Sequence, residues 1–136
     1  MQRINHLAIL FLLVAFICVA CAPKTEFSAK AAIVTAVSQF HEQYNSKNFI
    51  GIYGTSVPLY KRQTDLRTHE QALAARYMTR GKVLRTTLLE WQEQAARDGV
   101  VVTAAFRTTS EFGEYTEYFA FKFNGRSTQG HLMIYK

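Results

Sequence analysis

The spacing of apolar residues changes along the chain and predicts two halves of different secondary structure. In the first half, apolar side chains recur every three to four positions, as they do on one face of an α-helix. The clearest set is Ile33, Val37, Phe40 and Tyr44. Ser28 is a suitable N-cap for this helix, which we expect to end near Asn45.

Two shorter segments separate this helix from the next one. Residues 49–53 form an apolar patch that predicts a short helical turn, and residues 57–60 are expected to be a connector. Thr68 begins a capping-box pattern, so the next helix should start there, and Gly81 suits its C-cap. The inner face of that helix is predicted to carry Leu73 and Tyr77.

From Lys82 onward the apolar period changes to two, which is the period of a β-strand. Polar and glycine-containing turns divide this half into predicted strands at 83–94, 100–109, 115–123 and 127–135. On the third strand three aromatic residues alternate onto one face and should build the core: Phe119, Phe121 and Phe123. Helices followed by an antiparallel meander predict the α+β class.

This order of elements resembles the cone-shaped fold of nuclear-transport-factor-2-like and ketosteroid-isomerase-like domains. Several small bacterial lipoproteins look similar, with a strand half like residues 115–134. The resemblance implies a single domain over residues 28–136, in which N-terminal helices pack on a C-terminal four-stranded antiparallel curved sheet. A cystatin-like arrangement of a helix on a sheet fits the same order and stays open as an alternative.

The residues before the domain carry a targeting pattern. Arg3 precedes a 13-residue apolar run, residues 7–19, which has the length of a signal-peptide core and is too short for a membrane-spanning helix. The run ends in Val19-Ala20-Cys21, which resembles the lipobox of bacterial lipoproteins. That resemblance implies a signal peptide over residues 1–20, lipidation of Cys21 and a lipidated tether over residues 21–27.

Such acyl chains would attach the protein stably to a membrane. Ala22 and Pro23 follow the cysteine, and the absence of an Asp there favours the outer membrane, facing the periplasm, over the inner membrane. An uncleaved anchor helix and a secretory signal cut elsewhere remain alternatives. A redox role for Cys18 and Cys21 is not favoured, because no βαβ pattern surrounds them.

Charge adds a candidate interaction surface. The 136 residues are 49% hydrophobic and 19% charged, with a formal net charge of +6, which excludes disordered and low-complexity classes. Seven cations and only two acidic residues lie between positions 61 and 85; the cations are Lys61, Arg62, Arg67, Arg76, Arg80, Lys82 and Arg85. A one-sided basic patch would attract an acidic protein or another anionic envelope component. Nucleic acid is not an expected partner in this compartment.

Sequence motifs for common chemistries are absent. The chain has no P-loop, no G-x-G-x-x-G, no G-x-S-x-G and no zinc-protease spacing of histidines, so we expect no cofactor and no metal site. Enzymes of the resembled family use an Asp or His base with a Tyr inside the cone. The corresponding candidates here would be Asp65, His41 or His131 with Tyr53, Tyr60 or Tyr118.

A structural role is the simpler interpretation of most of these candidates. Asp65 lies between Arg62 and Arg67 and suits a solvated ion pair. His41 is offset by about 100° from the apolar stripe of its helix and is expected to face solvent or the helix edge. Tyr118 and His131 are expected nearly opposite each other on the outer face of the sheet.

Two classes of function therefore remain. The first and favoured one is a non-enzymatic, lipid-tethered adaptor that docks a partner protein or anionic envelope component through the basic face. The second is a small-ligand binder or enzyme that uses the interior of the fold. A buried carboxylate or histidine at the base of a cavity would favour the second, and a filled interior beneath an exposed basic patch would favour the first.

Overall fold

The helical half of the domain begins at the predicted N-cap. The computed structural model describes residues 27–125, 127 and 129–136, and its helices are α1 (Ala29–Asn45), α2 (Phe49–Thr55), α3 (Pro58–Gln63) and α4 (Leu66–Arg80). The side chain of Ser28 accepts a hydrogen bond from the Ala31 amide and so caps α1. The predicted bounds of α1 and the helical turn at 49–53 are confirmed.

Two predictions in this half were wrong. The expected connector at residues 57–60 lies largely within α3, because Pro58 stands at the first helical turn, where its fixed φ favours a helix. α4 begins before Thr68, since Asp65 is its N-cap and the Asp65 carboxylate accepts a hydrogen bond of 2.7 Å from the Thr68 amide. Aspartate is a stronger N-cap than threonine. Gly81 is the C-cap, as predicted, with a left-handed φ of 71°.

The second half is one antiparallel sheet. Its strands are β1 (Val83–Ala96), β2 (Gly99–Ser110), β3 (Gly113–Asn124) and β4 (Gly130–Tyr135), in the spatial order β1-β2-β3-β4. The α+β class, with helices N-terminal to a four-stranded antiparallel sheet, is therefore confirmed. β4 starts three residues later than position 127, where we expected it. The pairing of β1 with β2 is interrupted by bulges, which bend a strand.

The core lies between α1 and the inner face of β2, β3 and β4. The predicted aromatic residues Phe119, Phe121 and Phe123 are all buried on this face and belong to one cluster with the apolar stripe of α1. Gly130 allows β4 to lie close to α1, because a Cβ atom there would be only 2.9 Å from the Cβ of Ala36 on α1. α1 and β4 are therefore in direct contact at this position.

Residues 1–26 lie outside the described residues, and with them the predicted signal peptide and the lipidation site Cys21. No helix in the described part of the chain is both long enough and apolar enough to cross a membrane.

Candidate functional site

A carboxylate is buried on the inner face of the sheet. Glu117 on β3 has none of its surface exposed, and both of its oxygens accept hydrogen bonds. Oε2 accepts from His41 Nε2 at 2.8 Å and from Thr108 Oγ1 at 2.6 Å, and Oε1 accepts from the Tyr135 hydroxyl at 2.6 Å. Three elements, α1, β2 and β4, are therefore tied to β3 by one side chain.

These contacts keep the carboxylate charged. Burial by itself would raise the pKa of Glu117, but the hydrogen bonds from His41, Thr108 and Tyr135, together with the electrostatic effect of the nearby imidazole, hold that pKa below its ordinary value. The pKa of Tyr135 is raised, first by burial and then by the negative charge of Glu117. Its hydroxyl therefore stays protonated and remains a donor.

Two arginines of α4 point towards the same face. The guanidinium carbon of Arg76 lies 4.2 Å from the ring centroid of Tyr135, and that of Arg80 lies 3.9 Å from the ring centroid of Tyr115. Both arginines are half-buried. The distances are those of cation–π contacts, which are strongest where water is partly excluded.

Next to the arginines, three buried polar atoms have no hydrogen-bond partner among the described residues. They are the hydroxyls of Tyr44 and Tyr115 and Nη1 of Arg76. Tyr44 is only 1% exposed. Burial raises the pKa of both tyrosines, and the proximity of Tyr115 raises that of Tyr44 further. Arg76 and Arg80 act in the opposite direction on both. Arg80 approaches the Tyr115 hydroxyl closely enough to lower its pKa as a donor, but this contact falls outside ordinary hydrogen-bond geometry. The three atoms therefore belong to one neighbourhood.

We refer to these residues together as the interior polar cluster. Its members come from two helices, α1 and α4, and three strands: His41, Tyr44, Arg76, Arg80, Thr108, Tyr115, Glu117 and Tyr135. In the part around Glu117, the carboxylate has a hydrogen-bond donor on each oxygen. In the part around Tyr44, Arg76 and Tyr115, three polar atoms have no partner among the described residues. At one side His41 also lines an open groove of about 440 Å³ between α1 and β1.

Among the candidate bases, His41 differs most from expectation. It was predicted to face solvent or the helix edge but is only 6% exposed, because the buried face of α1 is wider than the apolar stripe and includes the position four residues after Val37. In the described part of the chain, Asp65 does not form the ion pair that the sequence predicted. Its carboxylate is an exposed helix cap and forms no ion pair with Arg62 or Arg67 among the described residues.

The predicted pairing of Tyr118 with His131 was wrong. The register of β3 and β4 places His131 opposite Lys122, and His131 Nδ1 lies 3.1 Å from the Thr55 carbonyl oxygen. β3 ends at Asn124 and β4 starts only at Gly130, so the connection is longer than expected and His131 lies opposite a residue nearer the turn.

Tyr60 belongs to a second buried contact, around a histidine that the sequence did not single out. The Tyr60 hydroxyl lies 2.8 Å from Nδ1 of His69, and Nε2 of His69 lies 3.0 Å from the Phe49 carbonyl oxygen. Burial lowers the pKa of His69, which favours a neutral ring that donates from Nε2 and accepts at Nδ1. Tyr53 packs at a ring distance of 5.4 Å from the same histidine. This contact joins α2, α3 and α4 and has a structural role.

The seven predicted cations are divided between the interior and the surface. Arg76 and Arg80 belong to the interior polar cluster, and the Lys61 ammonium donates to the Gly54 carbonyl at 2.8 Å. The other four side chains are exposed: Arg62, Arg67, Lys82 and Arg85.

The described residues contain no group of three or more His, Cys, Asp and Glu side chains placed to hold a metal ion. No protein-family model matches the chain, and no curated protein matches it. The function is therefore inferred from the geometry of the interior polar cluster and from the sequence pattern at the N-terminus.

Proposed function

We propose that the protein is a lipid-anchored domain of the cell envelope that binds a small ligand in the interior polar cluster. The observation that supports the binding role is the set of buried, unpartnered atoms on Tyr44, Arg76 and Tyr115. Of the two classes of function derived from the sequence, this geometry favours the ligand binder over the docking adaptor.

The physical argument is the cost of leaving these atoms unpaired. A buried polar group without a partner costs about 1–3 kcal/mol, and more for a charged group. Folded proteins pair nearly all such groups with protein or water, so three in one place call for a missing partner. Arg76 and Arg80 are half-buried, so part of the interior polar cluster reaches the surface.

The test is thermal unfolding of the full-length protein in detergent, with a library of small neutral, cationic and anionic compounds. A ligand of the cluster should raise the Tm of the wild type and of Arg67→Gln, which lies exposed on the same helix. It should not raise the Tm of Arg76→Gln. No stabilising compound, or one that stabilises all three proteins equally, would contradict the proposal.

The lipid anchor is a separate part of the proposal and is supported by the lipobox-like Val19-Ala20-Cys21. It predicts that intact-mass measurement of the protein from its host finds a chain that begins at Cys21 and carries acyl groups. Cys21→Ser should remove the acyl mass and leave an uncleaved chain. Cleavage at another position in the wild type would contradict this part alone.

A docking role remains a second candidate, because the exposed cations Arg62, Arg67, Lys82 and Arg85 form no ion pair among the described residues. In-cell crosslinking of the full-length protein tests it. One dominant envelope protein should be captured by the wild type and lost in the double variant Arg62→Glu, Arg67→Glu. Recovery of the same protein with that variant would contradict docking through these residues.

A further inference from the structure

The chemistry of the unpartnered atoms restricts the ligand, and this step depends on the proposed function. We propose that the ligand of the interior polar cluster is a small oxyanion, a carboxylate or phosphate group, held by Nη1 of Arg76 and the hydroxyls of Tyr44 and Tyr115.

The first argument is the kind of hydrogen bond that each atom offers. Nη1 of a guanidinium can only donate, and each tyrosine hydroxyl carries one proton that it can donate. Burial raises the pKa of both tyrosines, so these protons are present at neutral pH. Three donors without acceptors are best satisfied by a group that offers only lone pairs, as an oxyanion does.

The second argument is the local charge. Arg76 and Arg80 each contribute one positive charge, and both are close enough to lower the pKa of Tyr44 and Tyr115. The one buried carboxylate nearby, Glu117, already accepts three hydrogen bonds and faces His41. The two arginines therefore outweigh the single carboxylate, and the field at the unpartnered atoms favours an anion.

Other classes of ligand fit less well. A cation would lie beside two arginines and would be repelled by both. A neutral apolar compound would leave the Tyr44 hydroxyl and Arg76 Nη1 unpaired at the full cost of their burial. Water is the serious competitor, because an ordered water molecule also satisfies buried donors in polar sites. The experiment must therefore separate an anion from water alone.

The experiment measures the thermal stability of full-length protein in detergent against increasing sodium acetate or sodium phosphate, with ionic strength held constant by sodium chloride. Acetamide, the neutral analogue of acetate, is titrated in parallel. We expect a saturable rise in Tm with acetate or phosphate and none with acetamide. The arm that saturates at the lower concentration distinguishes carboxylate from phosphate.

Single-atom variants assign the effect to the cluster. Arg76→Gln should weaken the apparent anion affinity by about tenfold or more, as expected for a charged hydrogen bond, and Tyr44→Phe and Tyr115→Phe by about threefold to tenfold. Arg67→Gln should bind as the wild type does. Tyr44→Phe removes a buried unpaired hydroxyl, so its Tm without anion should not fall, and lost binding would then not reflect misfolding.

The outcomes separate the two proposals. If neutral compounds stabilise the protein through Arg76 and anions do not, the oxyanion assignment is wrong and interior binding stands. If neither the anions nor any compound of the wider library raises the Tm, both proposals fall, and water alone fills the cluster. An anion effect of the same size in Arg76→Gln and the wild type would place it on the protein surface and overturn the assignment.

Discussion

Two neighbouring parts of the inner face differ in how completely their polar groups are paired. Around Glu117, both carboxylate oxygens have donors and four side chains form one network. Beside it, Tyr44, Tyr115 and Arg76 bury polar atoms that have no partner among the described residues. Tyr135 belongs to both parts, since its hydroxyl donates to Glu117 and its ring faces the Arg76 guanidinium.

The contrast between the paired and the unpaired part indicates which buried polar groups stabilise the fold. A fully paired network links elements that are distant in sequence and specifies how they pack. Unpaired groups lower the stability of the free protein, and they are retained most readily where a ligand compensates. The two parts should therefore respond in opposite ways when a single polar group is removed.

The largest effect is expected from His41→Ala. This change removes a donor from the buried Glu117 carboxylate and leaves a cavity in place of the imidazole, so unfolding free energy at pH 7 should fall by about 3–5 kcal/mol. Urea unfolding monitored by circular dichroism measures it. The double variant His41→Ala, Glu117→Gln should recover part of the loss, because the amide leaves no buried charge and can still pair with Thr108 and Tyr135. A loss below about 1 kcal/mol would show that the pair behaves like an exposed one.

Tyr135→Phe should have the next largest effect. Its hydroxyl donates to a charged, buried oxygen, and such hydrogen bonds contribute about 1.5–3 kcal/mol. Tyr118→Phe is the matched control, because Tyr118 lies on the neighbouring strand with 53% of its surface exposed. That control should change the unfolding free energy by less than about 0.5 kcal/mol. Equal effects in the two variants would remove the distinction between network and surface.

The pH dependence of stability tests the charge of Glu117. Its pKa is lower in the folded protein than the ordinary value of 4.5, so the folded state binds fewer protons there than the unfolded state does. The stabilisation is complete above pH 4.5 and is lost as the pH falls through the lower, folded-state pKa. The stability advantage of the wild type over Glu117→Gln should therefore shrink as the pH falls below 4.5. A constant difference across that range would contradict a charged carboxylate.

The smallest effect, and the one with the opposite sign, is expected from Tyr44→Phe. Removing a buried hydroxyl that has no partner should raise the unfolding free energy of the ligand-free protein by about 1 kcal/mol. Urea unfolding without added anion measures it. A loss of stability like that of Tyr135→Phe would mean that ordered water already satisfies this hydroxyl, and the contrast between the two parts would disappear.

Most of the fold could be predicted, because the periods of its apolar residues are clear. The 3.6-residue stripe of α1 and the alternation of Phe119, Phe121 and Phe123 both survive in the structure. The boundaries failed where a local residue overrode the pattern, as Asp65 did at the start of α4 and Pro58 did in α3. The later start of β4 shifted the partner of His131, because the length of the connection sets the register of two paired strands.

The interior polar cluster was harder to predict, although its signals are present in the sequence. Glu117 has the same parity as Phe119 on β3, which places it on the buried face despite its charge. His41 stands one turn after Val37, and Arg76 stands three positions after Leu73, a buried residue of α4. Ionisable residues usually lie at the surface, so a prediction from residue type places these three side chains outside even though their spacing puts them on a buried face. Which polar atoms stay unpaired depends on distances that no sequence pattern contains.

The contact between His41 and Glu117 also bears on how the domain acquires its structure. The two residues are separated by 76 positions, and the helix that carries His41 packs on strands β3 and β4 at the far end of the chain. During synthesis from the N-terminus, the apolar face of α1 is therefore made well before the strands that cover it. The β1–β2–β3 meander is made of short-range pairings and can form locally. α1 packs on all three of these strands, but its face is fully covered only when Leu132 on β4 joins the core. Until β4 packs, the part of the helix face that it covers stays open to chaperones or to aggregation.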